Sequence, residues 1–268
     1  MEGFRQIAAQ AARIGGEVVK AHYGSQAFVE RKLNYDFVTD VDMLSEKAIR
    51  AYLEEKCPGF GFMGEETVFR KGISEETFLD GLGEDSYTWI VDPLDGTMNY
   101  IRQIPQFCIS VALAHGRELI AGAVYEVMQD AMFSAEKGKG AFLNDAPIHV
   151  SPVESAADAI IGAAFPAAEI NRRGPVMDAL NEMRMAIGSI RIYNCAALMM
   201  CYVACGRLDA GFEQGIHIWD IGAGAVIVRE AGGSVLCCDG SAFTIRSREQ
   251  FSGSPAMLKA IGPYLKKL

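Results

Sequence analysis

Apolar residues recur every three or four positions near the start of the chain, from Phe4 to Val19. This spacing predicts an amphipathic helix over residues 3–22. A second helix is predicted over 42–56, with Pro58-Gly59 ending it. The first quarter of the chain is therefore expected to be mostly helical.

The pattern changes between residues 87 and 141 to short apolar runs separated by turn residues. Trp89-Ile90-Val91 predicts one strand. Two hairpins are predicted to follow, with strands at 109–113 and 119–124, then at 132–134 and 140–143. Gly138-Lys139-Gly140 lies in the second hairpin and is interpreted as a turn rather than a phosphate-binding loop.

After about residue 150 helical and strand patterns are interspersed. Strands are predicted at 159–161, 208–212 and 234–237, and helices at 176–185, 196–204 and 221–231. The predicted fold class is mixed αβ of the α+β type, with an antiparallel-rich N-terminal half and a mixed αβ C-terminal half. We expect the two subdomains to comprise residues 1–150 and 151–268.

The composition restricts the functional classes. Half of the 268 residues are hydrophobic and the formal net charge is −9. An acidic chain has no excess of basic surface for a nucleic-acid or anionic-membrane partner, so neither is expected. No membrane-spanning run or secretion signal is evident, and the odd number of cysteines, seven, favours reduced thiols. We therefore expect a cytoplasmic protein.

The strongest local pattern is the nonamer 89–97, in which an apolar strand leads into Asp92-Pro93-Leu94-Asp95-Gly96-Thr97. Two carboxylates three positions apart can face one centre, and the Leu94 carbonyl can join them. Such an oxygen-rich ligand set suits Mg²⁺. An ordinary β-turn built from Asp and Gly explains the same residues, and the nonamer alone does not decide between them.

Other acidic residues stand at predicted element ends. Glu65-Glu66 follow an apolar run, Asp36, Asp40 and Asp42 precede the second helix, and Asp220 opens the helix at 221. Taken one at a time, helix capping or compensation of the helix dipole explains Asp220 and the aspartates near 40. Carboxylates gathered together repel one another, so a fold that collects all of them needs cations.

These motifs resemble the inositol monophosphatase family, the Mg²⁺-dependent, lithium-sensitive phosphatases. The resemblance is carried, in order between about Lys32 and Gly233, by four segments, namely 36–42, 64–66, 89–100 and 219–233. It implies a layered αβαβα fold, a homodimer and two or three Mg²⁺ ions per site. Paired Mg²⁺ ions suit ester hydrolysis by a metal-activated water.

The resemblance also implies roles for particular residues. Glu65, Asp92 and the Leu94 carbonyl would bind one ion, and Asp92, Asp95 and Asp220 a second. A third, weaker ion would lie near Glu65 and Asp42. The residues expected to take part in catalysis are Glu65, Asp95 and Thr97, and those expected to contact the substrate are Gly96, Thr97, Ala196, Glu213 and Asp220.

A small polyol phosphate, myo-inositol 1-phosphate, is the favoured substrate. A 3′-phosphoadenosine nucleotide, fructose 1,6-bisphosphate and histidinol phosphate remain as alternatives, as does a catalytically silent regulator that binds metal or an anion. The chain departs from the family pattern at Asn194-Cys195, Met199 and Arg102. We interpret these departures as changes on the substrate side, where Asn194 can adopt a positive φ. His217 is assigned a structural role.

Overall fold

The computed structural model describes residues 3–25, 29–33, 36–165, 173–266 and 268. Its helices are α1 Phe4–His22, α2 Asp40–Lys56, α3 Glu65–Lys71, α4 Glu75–Asp80, α5 Thr97–Ile101, α6 Arg173–Met183, α7 Ala196–Ala204, α8 Ile218–Glu230 and α9 Pro255–Leu265. Its strands are β1 Val29–Leu33, β2 Asp36–Thr39, β3 Gly61–Gly64, β4 Tyr87–Asp95, β5 Cys108–His115, β6 Glu118–Glu126, β7 Ala131–Glu136, β8 Ala141–Leu143, β9 Ala146–Pro147, β10 Ile160–Ala163, β11 Ser189–Ile192, β12 Ala210–Gln214, β13 Ser234–Leu236 and β14 Glu249–Gly253. Within these ranges none of the helices has both the length and the apolar character needed to cross a membrane.

The larger sheet has seven strands in the order β3-β4-β5-β6-β7-β8-β9. Only β3 and β4 pair in parallel, and the following neighbours are antiparallel. Both predicted hairpins are present, as β5–β6 and β7–β8. The Gly138-Lys139-Gly140 segment is the turn of the second, and the Glu230 carboxylate accepts the N–H groups of Gly138 and Gly140 at 2.9 Å each.

The second sheet has five strands in the order β11-β10-β12-β14-β13. Strand β10 is parallel to both β11 and β12, whereas β14 is antiparallel to β12 and β13. Its strands alternate with helices along the chain, which confirms the prediction of a mixed second half. A separate two-stranded antiparallel sheet joins β1 to β2.

The helices form three layers around the two main sheets. Helices α1 and α2 pack on the outer face of the seven-stranded sheet, and α7 and α8 lie between the sheets. Helices α6 and α9 cover the outer face of the five-stranded sheet. This αβαβα layering is the one that the family resemblance implies. Because the core around α7 and α8 takes residues from both halves of the chain, the division at residue 150 into two subdomains stays a prediction.

Two helices begin earlier than the sequence predicted. Helix α2 starts at Asp40 instead of Asp42, and α8 starts at Ile218 instead of 221. In both, the aspartate occupies the third helical position and its side chain accepts the N–H of the preceding cap residue, Thr39 at 2.9 Å and His217 at 2.6 Å. Asp220 is therefore not an N-cap, because it satisfies a free N–H from inside the first turn.

Strand β4 is longer than predicted. It continues to Asp95, so Asp92 and Asp95 lie in a strand instead of flanking a turn. Asp92 pairs with Ser110 and Asp95 with Cys108, which leaves one extra residue on β4. Pro93 is tolerated here because a bulge interrupts the ladder hydrogen bonds. The turn comes one residue later, at Gly96, whose φ of 91° lies in the left-handed region that glycine adopts without strain.

Close contact between α8 and the large sheet depends on Gly122 in β6. A Cβ atom at this position would lie 2.6 Å from the carbonyl oxygen and 2.8 Å from the Cα of Ala223. Both are backbone atoms in the centre of the molecule, so neither can rotate away. Gly122→Ala should lower the free energy of unfolding by about 3 kcal/mol, as overpacking of a rigid core does, and urea unfolding will measure it.

The matched control is Gly174→Ala in the first turn of α6, where an added Cβ meets no atom within 4 Å. The better helix propensity of alanine is offset by the cost of a Cβ in a helical residue before Pro175, so this change should leave stability nearly unchanged. Equal unfolding midpoints for the two variants would contradict the close packing at Gly122.

Candidate active site

A cavity of about 780 Å³ opens where the end of β4 meets the first turns of α3, α5, α7 and α8. The predicted site residues that line it are Glu65, Asp92, Leu94, Asp95, Gly96, Thr97, Ala196, Glu213 and Asp220. Asp42 is the one predicted residue that is not part of this lining. Segments separated by more than a hundred residues in sequence thus meet around one space.

Asp42 is buried next to the cavity and reaches it through Thr97. The Thr97 hydroxyl oxygen lies 3.4 Å from Asp42 Oδ1 and 3.0 Å from the Leu94 carbonyl oxygen. The other oxygen of Asp42 accepts the Thr39 N–H and the Thr39 hydroxyl. Asp42 and Thr97 therefore form a contiguous pair at the edge of the cavity.

The bulge in β4 directs its polar groups toward the cavity. The Leu94 N–H donates to Asp92 Oδ1 at 2.9 Å, which fixes that carboxylate. The Ser45 hydroxyl, from α2, donates to the Pro93 carbonyl at 2.9 Å. Leu94 has no register partner on β5, and its carbonyl accepts the Thr97 hydroxyl. This segment is held on both sides, so its carboxylates have little freedom to move apart.

Helix N-termini hold the other aspartates. The Ala197 N–H at the start of α7 donates to Asp95 Oδ2 at 2.7 Å, and the His217 N–H donates to Asp220 Oδ2 at 2.6 Å. Unpaired N–H groups in the first turn of a helix favour a negative charge. The backbone thus fixes one oxygen of each carboxylate.

Glu65 begins α3, directly after β3. The same first turn binds a second carboxylate, because the Glu66 N–H donates to Glu46 Oε2 at 2.8 Å and the Thr67 hydroxyl donates to Glu46 Oε1. Glu46 is almost fully buried, with a relative exposure of 6%. Sequence reasoning missed Glu46, because it lies beside Lys47 in α2 like an ordinary exposed acid. Its position four residues after Asp42, on the same face of the helix, was the signal that could have identified it as buried.

Burial and mutual repulsion raise the pKa of the aspartates in the cavity. Removal from bulk water is the largest cause for Asp92, and the charges of Glu65, Asp95 and Asp220 raise its pKa further. Removal from water also raises the pKa of Asp95 to about 6, although hydrogen bonds from Cys195 and the Ala197 N–H oppose that rise. The pKa of Asp220 is raised for the same two reasons as that of Asp92.

These aspartates have no cationic partner in the described parts of the chain, where no lysine or arginine forms an ion pair with Asp92, Asp95 or Asp220. Removing carboxylates from water without a counter-charge is costly. Carboxylate and carbonyl oxygens are the ligands that Mg²⁺ prefers. The donor set of Glu65, Asp92, Leu94, Asp95 and Asp220 therefore fits the ions that the sequence predicted.

Glu213 lies on β12 in the wall of the cavity. Its relative exposure is 7%, and Oε2 has no hydrogen-bond partner among the described residues. Burial, followed by the charge of Asp95, raises the pKa of its carboxyl group. Glu213 is thus buried, and its unpaired oxygen is a candidate for a contact with a ligand.

Sequence reasoning missed Glu75 and Arg248, which support the first turn of α8. Glu75 Oε1 accepts the Ile218 N–H at 3.0 Å, and Oε2 lies 2.6 Å from His217 Nδ1 and 3.4 Å from an Arg248 guanidinium nitrogen. The His217 ring stacks on Trp219, with centroids 4.3 Å apart. Because about 140 residues separate Glu75 from α8, local sequence carried no signal for this contact. The predicted structural role of His217 agrees with these contacts, although His217 also lines the cavity.

The departures from the family pattern fall in different places. Asn194 lines the cavity with a φ of 51°, as predicted for an asparagine at this turn. Met199 is buried in the core, where it approaches Gly162 and Gly211. Arg102 is exposed at the end of α5. Neither Met199 nor Arg102 is a lining residue of this cavity, so placing these two on the substrate side was wrong.

Comparison with known proteins identifies the family of this chain. The model of the inositol monophosphatase family matches residues 1–266. Inositol monophosphatase 3 of Solanum lycopersicum is 38% identical over 253 residues, which are 92% of this chain and 91% of that protein. Inositol-1-monophosphatase of Mesorhizobium japonicum is 33% identical over 264 residues, covering 97% of this chain and 95% of that protein. The solved structure of extragenic suppressor protein suhB from Bartonella henselae superposes with a TM-score of 0.88 at 35% identity and 98% coverage of both chains. This chain belongs to the inositol monophosphatase family.

Proposed function

We propose that this protein is a Mg²⁺-dependent phosphomonoesterase that hydrolyses myo-inositol 1-phosphate to inositol and phosphate. The observation that carries the proposal is the group of cavity carboxylates, Glu65, Asp92, Asp95 and Asp220, three of which have no cationic partner in the described chain. The substrate is supported by Glu213 and by the names of the two relatives described above.

Phosphate is assigned to the first turn of α5. Gly96 and Thr97 face the cavity beside Asp92 and Asp95, and the first N–H groups of a helix have no partner within it. Bound Mg²⁺ supplies neutralisation of the phosphoryl oxygens and lowers the pKa of water. The fixed backbone of the β4 bulge keeps the phosphorus at one position relative to these groups.

Orientation of the attacking water is assigned to Thr97, with Asp42 and Glu65 as its neighbours. The Thr97 hydroxyl hydrogen can point to the Leu94 carbonyl or to Asp42, at 3.0 and 3.4 Å. Its oxygen then accepts a hydrogen bond from the water and turns a lone pair of that water toward phosphorus. Glu65 lines the same cavity, close enough that its charge raises the pKa of Asp92, and this negative charge favours removal of the proton.

The alcohol end of the substrate is assigned to Glu213 and Ala196, which line the wall beside Asp220. An unpaired carboxylate oxygen accepts hydrogen bonds from ring hydroxyls and repels a second phosphate. Arg248, a cation of the cavity wall, is already bound to Glu75 and to the Ile216 carbonyl. Both features favour a neutral polyol over fructose 1,6-bisphosphate or a 3′-phosphoadenosine nucleotide.

The same proposal includes a cytoplasmic homodimer. All seven cysteines of the chain are free thiols, which suits a reducing compartment. The homodimer rests on the family resemblance, and sedimentation of the purified protein would determine the oligomeric state.

Phosphate release from inositol 1-phosphate tests the proposal directly. Activity should require Mg²⁺ and disappear in excess chelator, and Asp92→Asn should reduce it by at least about a thousandfold, because by the family resemblance Asp92 would be a ligand of both ions. The control Asp158→Asn removes an exposed carboxylate and should retain full activity. Full turnover in chelator would refute metal dependence, and no turnover of any phosphate monoester with Mg²⁺ would favour a silent regulator.

A second prediction concerns Thr97. Thr97→Val preserves the size of the side chain and removes the hydroxyl, so kcat should fall by about a hundredfold while KM changes little. Thr97→Ser restores the hydroxyl and should recover most of the lost rate. A valine variant with a kcat within twofold of the wild type would reduce Thr97 to a residue that only begins α5.

A third prediction concerns substrate choice. Glu213→Ala removes one charge-assisted hydrogen bond, which is worth about 1.5–3 kcal/mol, so kcat/KM for inositol 1-phosphate should fall about ten- to a hundredfold. An aryl phosphate without ring hydroxyls serves as the control and should be hydrolysed as before. Equal losses on both substrates would mean that Glu213 supports the fold, and a wild-type preference for a bisphosphate would refute the assigned specificity.

A further inference from the structure

Two thiols lie directly behind Asp95, and the proposed hydrolysis uses neither. Cys108 Sγ and Cys195 Sγ are 3.6 Å apart. Asp95 Oδ2 lies 3.2 Å from Cys195 Sγ and 3.8 Å from Cys108 Sγ. Both cysteines are buried, whereas Asp95 lines the cavity. One carboxylate and two sulfur atoms therefore form a triangle beneath the cavity floor, and all three are metal-ligand atoms within 4.8 Å of one another.

The edges of this triangle match the face of a tetrahedral metal site. With Zn–S bonds of about 2.3 Å and Zn–O bonds of about 2.1 Å, a tetrahedron has S–S edges of about 3.8 Å and S–O edges of about 3.6 Å. The observed separations of 3.6, 3.2 and 3.8 Å lie within a few tenths of an ångström of these values. The three ligand atoms are therefore already spaced as the ligands of one ion would be.

Rigid elements hold each of the three ligands. Cys108 is the ladder partner of Asp95 across β4 and β5. Cys195 is the residue before α7, and the Ala197 N–H in the first turn of that helix binds the same Asp95 oxygen. The site is thus preorganised by backbone that also builds the active site. Burial raises the pKa of both thiols, so without a metal they are neutral and add no charge to the acidic cluster.

We propose that Asp95, Cys108 and Cys195 form a binding site for one thiophilic divalent cation of the zinc type. This site is distinct from the oxygen-only Mg²⁺ site because two of its three ligands are sulfur, which hard cations avoid. The thiol protons leave to solvent as the metal–thiolate bonds form. Since the two sites share Asp95, the thiophilic ion competes with Mg²⁺ for that carboxylate.

Cadmium serves as the probe, because its bonds to thiolate absorb in the near ultraviolet where Mg²⁺ has no signal. The full-length, metal-free protein is titrated with Cd²⁺ under a non-thiol reductant, and bound metal is counted by equilibrium dialysis. We expect one tightly bound ion with two thiolate bonds. Cys108→Ala and Cys195→Ser should each weaken binding by at least about a hundredfold, more than loss of an outer-shell partner costs.

Cys238→Ala is the matched control, since Cys238 is also a buried thiol with a second cysteine, Cys237, beside it. It should leave the absorbance and the stoichiometry unchanged. Cys195→Ser places a hydroxyl at the residue before α7, a position that favours serine, so this variant should fold. Circular dichroism checks that folding directly.

Saturating Mg²⁺ should raise the Cd²⁺ concentration needed for half-saturation if Asp95 is shared. Equal Cd²⁺ binding by the wild type, Cys108→Ala and Cys195→Ser would overturn the inference, and so would loss of the signal in Cys238→Ala. These measurements do not use phosphatase activity. A protein that binds Cd²⁺ as described and hydrolyses no phosphate ester would refute the proposed function while supporting this site.

Discussion

The structure around the cavity depends on keeping several carboxylates close together, although no lysine or arginine of the described residues forms an ion pair with Asp92, Asp95 or Asp220. Asp92 and Asp95 are buried within one bulge of β4, and Asp220 comes from the opposite side on α8. Backbone N–H groups compensate for part of the repulsion, since each aspartate accepts at least one such hydrogen bond. Their raised pKa values indicate that these hydrogen bonds alone do not balance the loss of hydration.

This imbalance makes stability depend on pH and on metal. The ordinary pKa of an aspartate is 3.8, and that of Asp95 is raised to about 6, so the folded metal-free chain binds this proton more tightly than the unfolded chain does. The contribution of Asp95 to stability is therefore favourable below pH 3.8 and is lost as the pH rises to about 6. At neutral pH ionised Asp95 opposes folding, and a divalent cation that binds only the folded state offsets this. Metal affinity and the instability of the empty cluster have the same physical origin.

The sequence predicted the parts of the fold that repeat locally. The periodicity of α1, the two hairpins and the limits of α7 follow from short-range patterns, and the structure has all of them. The predicted starts of α2 and α8 were wrong, because an aspartate near the site also accepts an N–H at the beginning of its own helix. Asp42 and Asp220 stand at the predicted helix starts, whereas each occupies the third helical position and accepts the N–H of the residue before the helix. The predicted strand ends at Val91, whereas β4 continues to Asp95, because a bulge cannot be distinguished from a turn without knowing its partner strand.

The candidate site was predictable for a different reason, since its acids occur in long motifs that resemble a known family. Motifs do not identify the residues that hold those acids in position, and Glu75 is the clearest example. This glutamate reaches 143 positions along the chain to bind the Ile218 N–H in the first turn of α8, two residues before Asp220. The direction of the Asp220 carboxylate thus depends on α4, which carries no motif. Catalytic geometry must be maintained to within a fraction of an ångström. A family resemblance therefore predicts which atoms meet in the cavity, whereas contacts such as that of Glu75 decide how rigidly they are held.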